Sequence, residues 1–197
     1  MITRQRIANL ASLSPATEAT TPDQGVMTRT VTGWCGTMLN VEPKGWFSQT
    51  FTVRDGDMQV ASIDLAAFGE QAEIAIEGRP YTLRRERFAS GPFLLESNGV
   101  VLARADKPQV LARLFVVENQ GRPLTLKHAG GIGRKFVLLA GEQGIGSMGP
   151  QRMGGRAAVA NFPSDLPLPT RVFMIWLELI LWRRAAGAAA AAGGASG

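Results

Sequence analysis

The most apolar stretch of the chain runs from Val172 to Trp182, where every residue except Glu178 is large and apolar. A helix formed by this stretch has no polar face, so it must be buried on all sides, in a protein core or in a lipid bilayer. The stretch would cover only about 17 Å as a helix, whereas a membrane span needs about 20 apolar residues. We therefore predict a buried core helix over about residues 169–184, with Gly187 as a stop. Its core-facing side chains are predicted to be Val172, Phe173, Ile175, Trp176, Leu179 and Trp182.

Upstream of this helix, short segments of alternating apolar and polar residues are separated by turn signals. Phe51 and Val53 alternate with polar residues, Asp55-Gly56 follows, and the same pattern returns four more times. A turn residue followed by glycine between such segments is a strong hairpin signal, because a type I′ turn needs positive φ at both central residues. The sequence predicts five consecutive hairpins, whose turn glycines lie 21 to 23 residues apart: Gly56, Gly78, Gly99, Gly121 and Gly144.

The five hairpins supply ten antiparallel strands, and segments near residues 34–41 and 156–160 bring the number to about twelve. An open sheet of this size would leave two unpaired edges, which closure into a barrel removes. About eight strands already fill their own barrel interior, so twelve leave a space that the apolar helix can fill. The predicted fold is mainly β: an antiparallel closed barrel of consecutive hairpins around a central buried hydrophobic C-terminal α-helix.

Outside the barrel, predicted to cover residues 31–184, both ends of the chain have a different composition. Residues 1–30 are polar and small and are interpreted as a flexible arm, and residues 185–197 are interpreted as a disordered Ala/Gly tail. Residues 1–30 contain no apolar core of a signal peptide, so we expect a cytoplasmic protein, attached at most to the periphery of a membrane.

The charge of the chain is unevenly distributed, although its total is only +5. Residues 40–78 contain two cationic and seven acidic residues, a net −5, and residues 79–135 contain eleven cationic and four acidic residues, a net +7. Guanidinium and ammonium groups suit phosphate ligands. The candidate anion-binding residues are those of the densest basic clusters: Arg84, Arg85, Arg87, Lys127, Arg134 and Lys135. The alternative interpretation is a solvated barrel exterior with ordinary cross-strand ion pairs.

No pattern in the chain indicates a catalytic or metal site. Cys35 and His128 are the only cysteine and histidine, which excludes a Cys-based zinc site and a multi-histidine metal site, and His128 has no recognisable nucleophile partner. Gly130–Arg134 is interpreted as a long turn rather than as a phosphate cradle. We expect no enzyme, no cofactor and no bound metal. For Glu178 we expect a structural role, with a barrel-wall arginine or a polar end of the interior satisfying its carboxylate.

The order of these elements resembles that of a known superfamily. A meander of glycine-turn hairpins, including Gly91–Ala103, is followed by Asp165–Pro169 and an apolar helix that ends in two arginines. Together these features resemble the tubby C-terminal-like superfamily, which groups tubby, the phospholipid scramblases and the plant LURP-one-related proteins, over roughly residues 37–184. The resemblance implies a twelve-stranded barrel around a central helix. It also implies membrane chemistry, since tubby proteins bind phosphoinositides and scramblases act at membranes.

The favoured function is therefore a non-enzymatic barrel that binds anionic phospholipid head groups peripherally. One alternative is a structural or protein-interaction module with unknown protein partners, which an exposed apolar patch on the barrel would favour. A nucleic-acid binder is the less favoured alternative, because Tyr81, Phe93, Phe115 and Phe136 are predicted to face inward and only Phe88 is left as a stacking platform.

Overall fold

The computed structural model describes most of the chain from residue 36 onward, and the predicted arm at residues 1–30 lies outside it. The described residues are 36–45, 48–65, 70–87, 90–108, 113–130 and 133–194. They form twelve strands and one helix. In chain order these are β1 (Gly36–Pro43), β2 (Thr50–Asp55), β3 (Met58–Leu65), β4 (Ala72–Ile76), β5 (Arg79–Arg87), β6 (Ser90–Ser97), β7 (Val100–Asp106), β8 (Leu114–Asn119), β9 (Arg122–His128), β10 (Phe136–Ala140), β11 (Gln143–Pro150), β12 (Ala158–Pro163) and α1 (Leu168–Gly194).

The twelve strands form a closed barrel in which each strand pairs antiparallel with its neighbours in sequence. Closure comes from β1 and β12, which pair from Gly36 opposite Pro163 to Val41 opposite Ala158. No strand edge in the barrel is left open, which is the physical advantage of closure over an open sheet of this size. The predicted fold class is confirmed.

Three of the five hairpin turns have the dihedral angles that the sequence requires. Both central residues have positive φ at Glu77-Gly78 (48° and 77°), Asn98-Gly99 (50° and 77°) and Gln120-Gly121 (51° and 76°). This is the type I′ pattern, whose twist matches that of the strands it joins. At Asp55-Gly56, only Gly56 has positive φ.

The fifth turn, predicted over Gly141–Gly144, lies at the first two residues of that segment. The residue with positive φ is Gly141, and the predicted turn glycine Gly144 lies within β11. The reason is a bulge: Leu138 pairs with Gly146, but Leu139 pairs with Gly144, so β11 contains one extra residue at this point. The bulge depends on pairing with a second strand, and the spacing of glycines along one strand does not reveal it.

The helix α1 fills the barrel interior. The six helix residues predicted for the core are buried, with exposures between 0 and 8 %. Trp176 contacts the barrel wall through an edge-on arrangement with Phe93, whose ring centroid is 5.6 Å away, and stacks with Phe173 at 5.9 Å. Wall side chains surround the helix, so its apolar residues are buried on every side of it. This accounts for the absence of a helical hydrophobic period in the sequence.

The helix is longer than predicted. It continues past residue 184 to Gly194, and residues 185–194 are exposed and helical rather than a disordered tail. Most of these residues are alanine, the residue with the highest helix propensity, and Gly187 costs only about 1 kcal/mol in a helix interior. Gly187 therefore does not stop the helix, which extends about 15 Å beyond its buried part.

The two ends of the barrel carry connections of different lengths. Because every strand pair is antiparallel, all five tight turns lie at one end, here called the turn end, and the longer connections between hairpins lie at the other, here called the loop end. The helix begins at the turn end, where Thr170 donates a hydrogen bond of 3.0 Å to Asn119. It leaves at the loop end, where Trp182 and Arg184 contact residues of the long connections.

Candidate anion-binding site at the loop end

The loop end contains two adjoining pockets around the exit of the helix, with volumes of about 290 and 350 Å³. Arg134 and Trp182 line both. Six cationic side chains and no carboxylate are found among the described residues that line them. The cationic residues are Lys107, Arg113, Arg134, Arg156, Arg183 and Arg184. Excess positive charge in a partly enclosed space favours an anionic ligand.

Arg134 is held in place by uncharged groups. Its guanidinium lies 5.4 Å from the centroid of the Trp182 ring and donates a hydrogen bond of 3.3 Å to the carbonyl oxygen of Gly155. Arg156 is positioned in a similar way: it lies 5.3 Å from the Phe51 ring centroid and donates to two backbone carbonyl oxygens in the connection between β1 and β2. A ring and a carbonyl orient the Arg134 guanidinium without neutralising it, so its charge remains available to a ligand.

Lys107 and Arg113 lie in the connection between β7 and β8. Neither forms an ion pair with a carboxylate in the part of the chain that the structure describes. Partial burial, together with the nearby charge of Arg85, lowers the pKa of Lys107. Partial burial likewise lowers the pKa of Arg184. These shifts indicate cations that are crowded together and partly removed from water, and an anion placed among them would be stabilised.

His128 acts within the protein and does not offer a free ring nitrogen. The backbone N–H of Gly130 donates to its Nδ1 at 3.2 Å, and its Nε2 lies 2.6 Å from the carbonyl oxygen of Gly133. The Gly130 N–H makes Nδ1 an acceptor, which leaves Nε2 to donate to the carbonyl oxygen of Gly133. The ring also packs edge-on against Phe136. His128 therefore ties together the two described sides of the glycine-rich loop, in which Gly131 and Ile132 lie outside the described residues.

A carboxylate with two arginine partners lies beside the pockets. Glu70 accepts a hydrogen bond of 3.0 Å from Arg85 and forms a second ion pair with Arg184. Both guanidiniums also lie over the ring of Phe93, at 5.1 and 6.0 Å from its centroid. This cluster joins the barrel wall to the helix at the helix exit.

The structure brings two of the six predicted anion-binding residues to the loop-end pockets. Arg134 lines them, and Arg85 lies next to them in the cluster with Glu70. Arg84 faces the other side of β5, where it forms a bidentate pair with Glu96 at 2.9 and 2.6 Å. These hydrogen bonds lower the pKa of Glu96, and the carboxylate compensates the charge of Arg84 on the wall. For Arg84, the alternative of an ordinary cross-strand pair describes the geometry better.

The other three predicted residues do not join the pockets. Lys127 follows the buried Leu126 in β9, so it is exposed on the outer wall. Lys135 is also exposed, with its side chain beside Gly149 of the neighbouring β11. Arg87 is exposed at the end of β5. Arg87 is only two residues from Arg85, but the register of β5 against β6 shifts between them, so simple strand alternation does not carry Arg87 to the same surface.

Sequence reasoning did not select most of the pocket cations. Lys107, Arg113 and Arg156 are isolated in sequence, and Arg183 and Arg184 were considered only as the two arginines that end the apolar helix. The sequence did contain the necessary information. In a barrel of consecutive hairpins, all the longer connections lie at the same end of the barrel. Adding up the charges at each end of the barrel, rather than along the sequence, would have identified these cations.

Among the described residues, no barrel-wall arginine or other polar group pairs with Glu178 as predicted. Glu178 is 0 % exposed, and neither carboxylate oxygen has a hydrogen-bond partner among the described residues. Burial raises the pKa of Glu178 well above its usual value, which favours the neutral protonated form. Arg171, two helical turns earlier, also has buried nitrogens without a partner in the described structure, and burial lowers its pKa.

Comparison with models of protein families, with curated proteins and with solved structures found no match. The fold and site themselves define a class: a closed antiparallel barrel filled by its own C-terminal helix, with a basic mouth where that helix emerges. Among the described residues, no helix is long and apolar enough to cross a membrane.

Proposed function

We propose that this chain is a non-enzymatic barrel that binds anionic phospholipid head groups peripherally through the loop-end pockets. The observation that carries the proposal is the set of four cations in the larger pocket, Lys107, Arg113, Arg134 and Arg184, with no carboxylate among its described lining residues. Arginine forks and lysine ammonium groups are the side chains that proteins use to hold phosphate.

The position of the site suits a membrane surface. The pockets surround the exit of the helix, and the exposed helical residues 185–194 that come next are alanine and glycine. This segment carries no charged side chain that would oppose an approach to lipid. The protruding helix would then enter the head-group region, and the cations at its base would contact head-group phosphates.

We also propose that the chain belongs to the tubby C-terminal-like superfamily. The twelve consecutive antiparallel strands and the central C-terminal helix are compatible with that fold. Membership would imply phospholipid as the ligand, and a cytoplasmic protein that attaches to the periphery of a membrane. The proposal assigns no catalytic residue.

The test is flotation of the full chain with phosphatidylcholine vesicles, with and without phosphatidylinositol bisphosphate, at low and moderate salt. The wild type is expected to float only with the anionic vesicles and less at higher salt, because salt screens exposed charges. The double variant Lys107→Gln/Arg113→Gln is expected to lose binding roughly tenfold or more, as the loss of two phosphate contacts implies. Its matched control is Lys127→Gln/Lys135→Gln, which removes the same charge from the outer wall.

Equal losses in the two double variants would show binding by overall charge and would contradict a site at the loop end. Flotation with neutral vesicles that resists salt would contradict head-group recognition. Absence of flotation with either vesicle would exclude lipid binding as the function.

A specific observation favours one alternative, a protein-interaction module. Three consecutive apolar residues at the start of β7 are exposed by 60, 49 and 40 %: Val100, Val101 and Leu102. Two of them, Val101 and Leu102, line a pocket of about 530 Å³ at the turn end. Nucleic acid remains the less favoured ligand, because Phe93, Phe115 and Phe136 are buried and offer no stacking surface.

A further inference from the structure

The position of Glu70 suggests that its carboxylate regulates ligand binding at the loop-end pockets. One of its carboxylate oxygens bonds the Arg85 guanidinium of the barrel wall at 3.0 Å, and the other bonds the Arg184 guanidinium of the helix. The Glu70 side chain is only 17 % exposed. A single anion therefore holds two guanidiniums side by side at the helix exit.

The charges around Glu70 do not balance. Lys107 lies close enough to Arg85 for their charges to interact, and Arg184 lines the same pocket as Lys107. Within the described chain, no other carboxylate forms an ion pair with Arg85, Arg184 or Lys107. Two guanidiniums thus share one carboxylate, with a third cation, Lys107, close to Arg85. A phosphate group carries more charge and more acceptor oxygens than a carboxylate and matches two arginine forks better.

We infer that Glu70 occupies the position of a ligand phosphate between Arg85 and Arg184, so that the carboxylate competes with the anionic ligand and weakens its binding. The inference rests on the proposed function and adds a regulatory contact to the same site. Glu70 lies in the connection between β3 and β4, outside the strand pairings. Its side chain can leave the arginines without breaking the barrel ladder.

The geometry also predicts how the two arginines are held after Glu70 leaves. Arg85 remains fixed by its hydrogen bond of 3.2 Å to the carbonyl oxygen of Gly91 and by its position over Phe93. Arg184 remains over the same ring. Arg85 therefore keeps two contacts and Arg184 one when the carboxylate is withdrawn, which leaves both guanidiniums near Phe93 to receive a phosphate group.

The decisive comparison uses two variants with the same change in charge. Glu70→Gln removes the competing carboxylate, and Glu96→Gln removes the carboxylate that pairs with Arg84 on the outer wall. The probes are phosphatidylcholine vesicles containing phosphatidylinositol bisphosphate and, separately, soluble inositol hexakisphosphate. Glu70→Gln is expected to raise affinity for both probes by roughly twofold to fivefold, the range of one modest ion-pair interaction. Glu96→Gln is expected to leave affinity near that of the wild type.

A second variant distinguishes the effect of losing the carboxylate from a folding defect in Glu70→Gln. Glu70→Asp keeps the net charge but shortens the side chain, so it is expected to raise affinity by a smaller factor. Both proteins are checked by circular dichroism and thermal unfolding before binding is measured. Binding of the vesicles but not of the soluble probe would assign the site to a lipid surface, and binding of both would assign it to phosphate groups in general; a gain with Glu70→Gln supports the inference in either case.

The inference and the proposed function fail in different ways. Equal gains in Glu70→Gln and Glu96→Gln, or unchanged or weaker binding in folded Glu70→Gln and Glu70→Asp, would overturn the inference while wild-type binding stands. Binding by Glu70→Gln alone, with none by the wild type, would support it strongly. No binding by any of the four proteins would overturn both.

Discussion

At the scale of the single residue, Glu178 has the most unfavourable environment of the described residues. A carboxyl group that is 0 % exposed and has no described hydrogen-bond partner is tolerated only when it is neutral. Its neighbours along the helix are large apolar residues, which provide no compensating charge. Burial raises the pKa of Glu178 in the folded protein, so the folded protein binds this proton more tightly than the unfolded chain does.

The raised pKa sets the sign of the pH dependence. The contribution of Glu178 to stability is largest below its unfolded-state pKa of about 4.3 and falls as pH rises toward the raised folded-state pKa, with a slope of at most about 1.4 kcal/mol per pH unit. We expect Glu178→Gln to remove this slope, and Glu178→Leu to stabilise the protein at neutral pH by about 1–4 kcal/mol. The measurement is urea unfolding across a pH series, with exposed Glu142→Gln as the control. A Glu178→Gln protein that keeps the wild-type pH slope would contradict the assignment.

The presence of a buried acid was readable from the sequence, but its environment was not. Glu178 interrupts an unbroken apolar run, so its burial followed from the burial of the helix. Whether a barrel-wall residue could pair with Glu178 depended on which wall residues lie level with it along the barrel axis. That relation depends on the rotation and depth of the helix in the barrel, which no local pattern specifies.

At the scale of the element, β11 shows how closely neighbouring strands approach. A Cβ atom added to Gly146 would lie 2.7 Å from the carbonyl oxygen of Asn161 and 3.1 Å from the Phe162 ring. A Cβ added to Gly144, in the same strand, would meet only Val137 at 3.7 Å, which is ordinary contact. Neither glycine has positive φ, so the difference between the two positions is one of space.

We therefore expect Gly146→Ala to destabilise the protein by about 1–3 kcal/mol, because β12 must shift to admit the methyl group. Gly144→Ala is expected to be neutral or to stabilise slightly through a smaller unfolded-state entropy. Thermal and urea unfolding of the two variants side by side provide the test. Equal stabilities would mean that β11 and β12 do not approach as closely as described.

The hairpins were predictable because the turn requirement is local. Glu77-Gly78, Asn98-Gly99 and Gln120-Gly121 each place two residues that adopt positive φ between alternating segments. The segment Gly141–Gly144 was correctly predicted to turn, but Gly144 itself belongs to β11, because the bulge opposite Leu138 and Leu139 is a property of the strand pair. The end of α1 was misplaced because Gly187 was given more weight than the high helix propensity of the alanines around it.

At the scale of the whole molecule, the barrel converts scattered basic residues into one surface. Lys107 and Arg113 lie on either side of one connection, Arg134 lies in another, and Arg184 comes from the helix. They meet because antiparallel pairing directs every long connection to the loop end. The convergence could be predicted once the hairpin order was known. The pairing of Glu70 with Arg184 could not, because it depends on how far the helix extends through the barrel.

The central claim is that the loop end, and not the turn end, faces the anionic surface. The most direct measurement attaches an environment-sensitive fluorophore to a single cysteine, with Cys35 replaced by serine. The cysteine is placed either at Ala189, on the exposed helix beyond the loop end, or at Met58, which is 71 % exposed beside the turn end. Vesicles containing phosphatidylinositol bisphosphate are then added to each labelled protein.

We expect a blue shift and protection from aqueous quencher for the label at Ala189, no change for the label at Met58, and no change for either with phosphatidylcholine alone. Protection of the label at Met58, or equal protection of both labels, would contradict the assignment of the binding surface to the loop end.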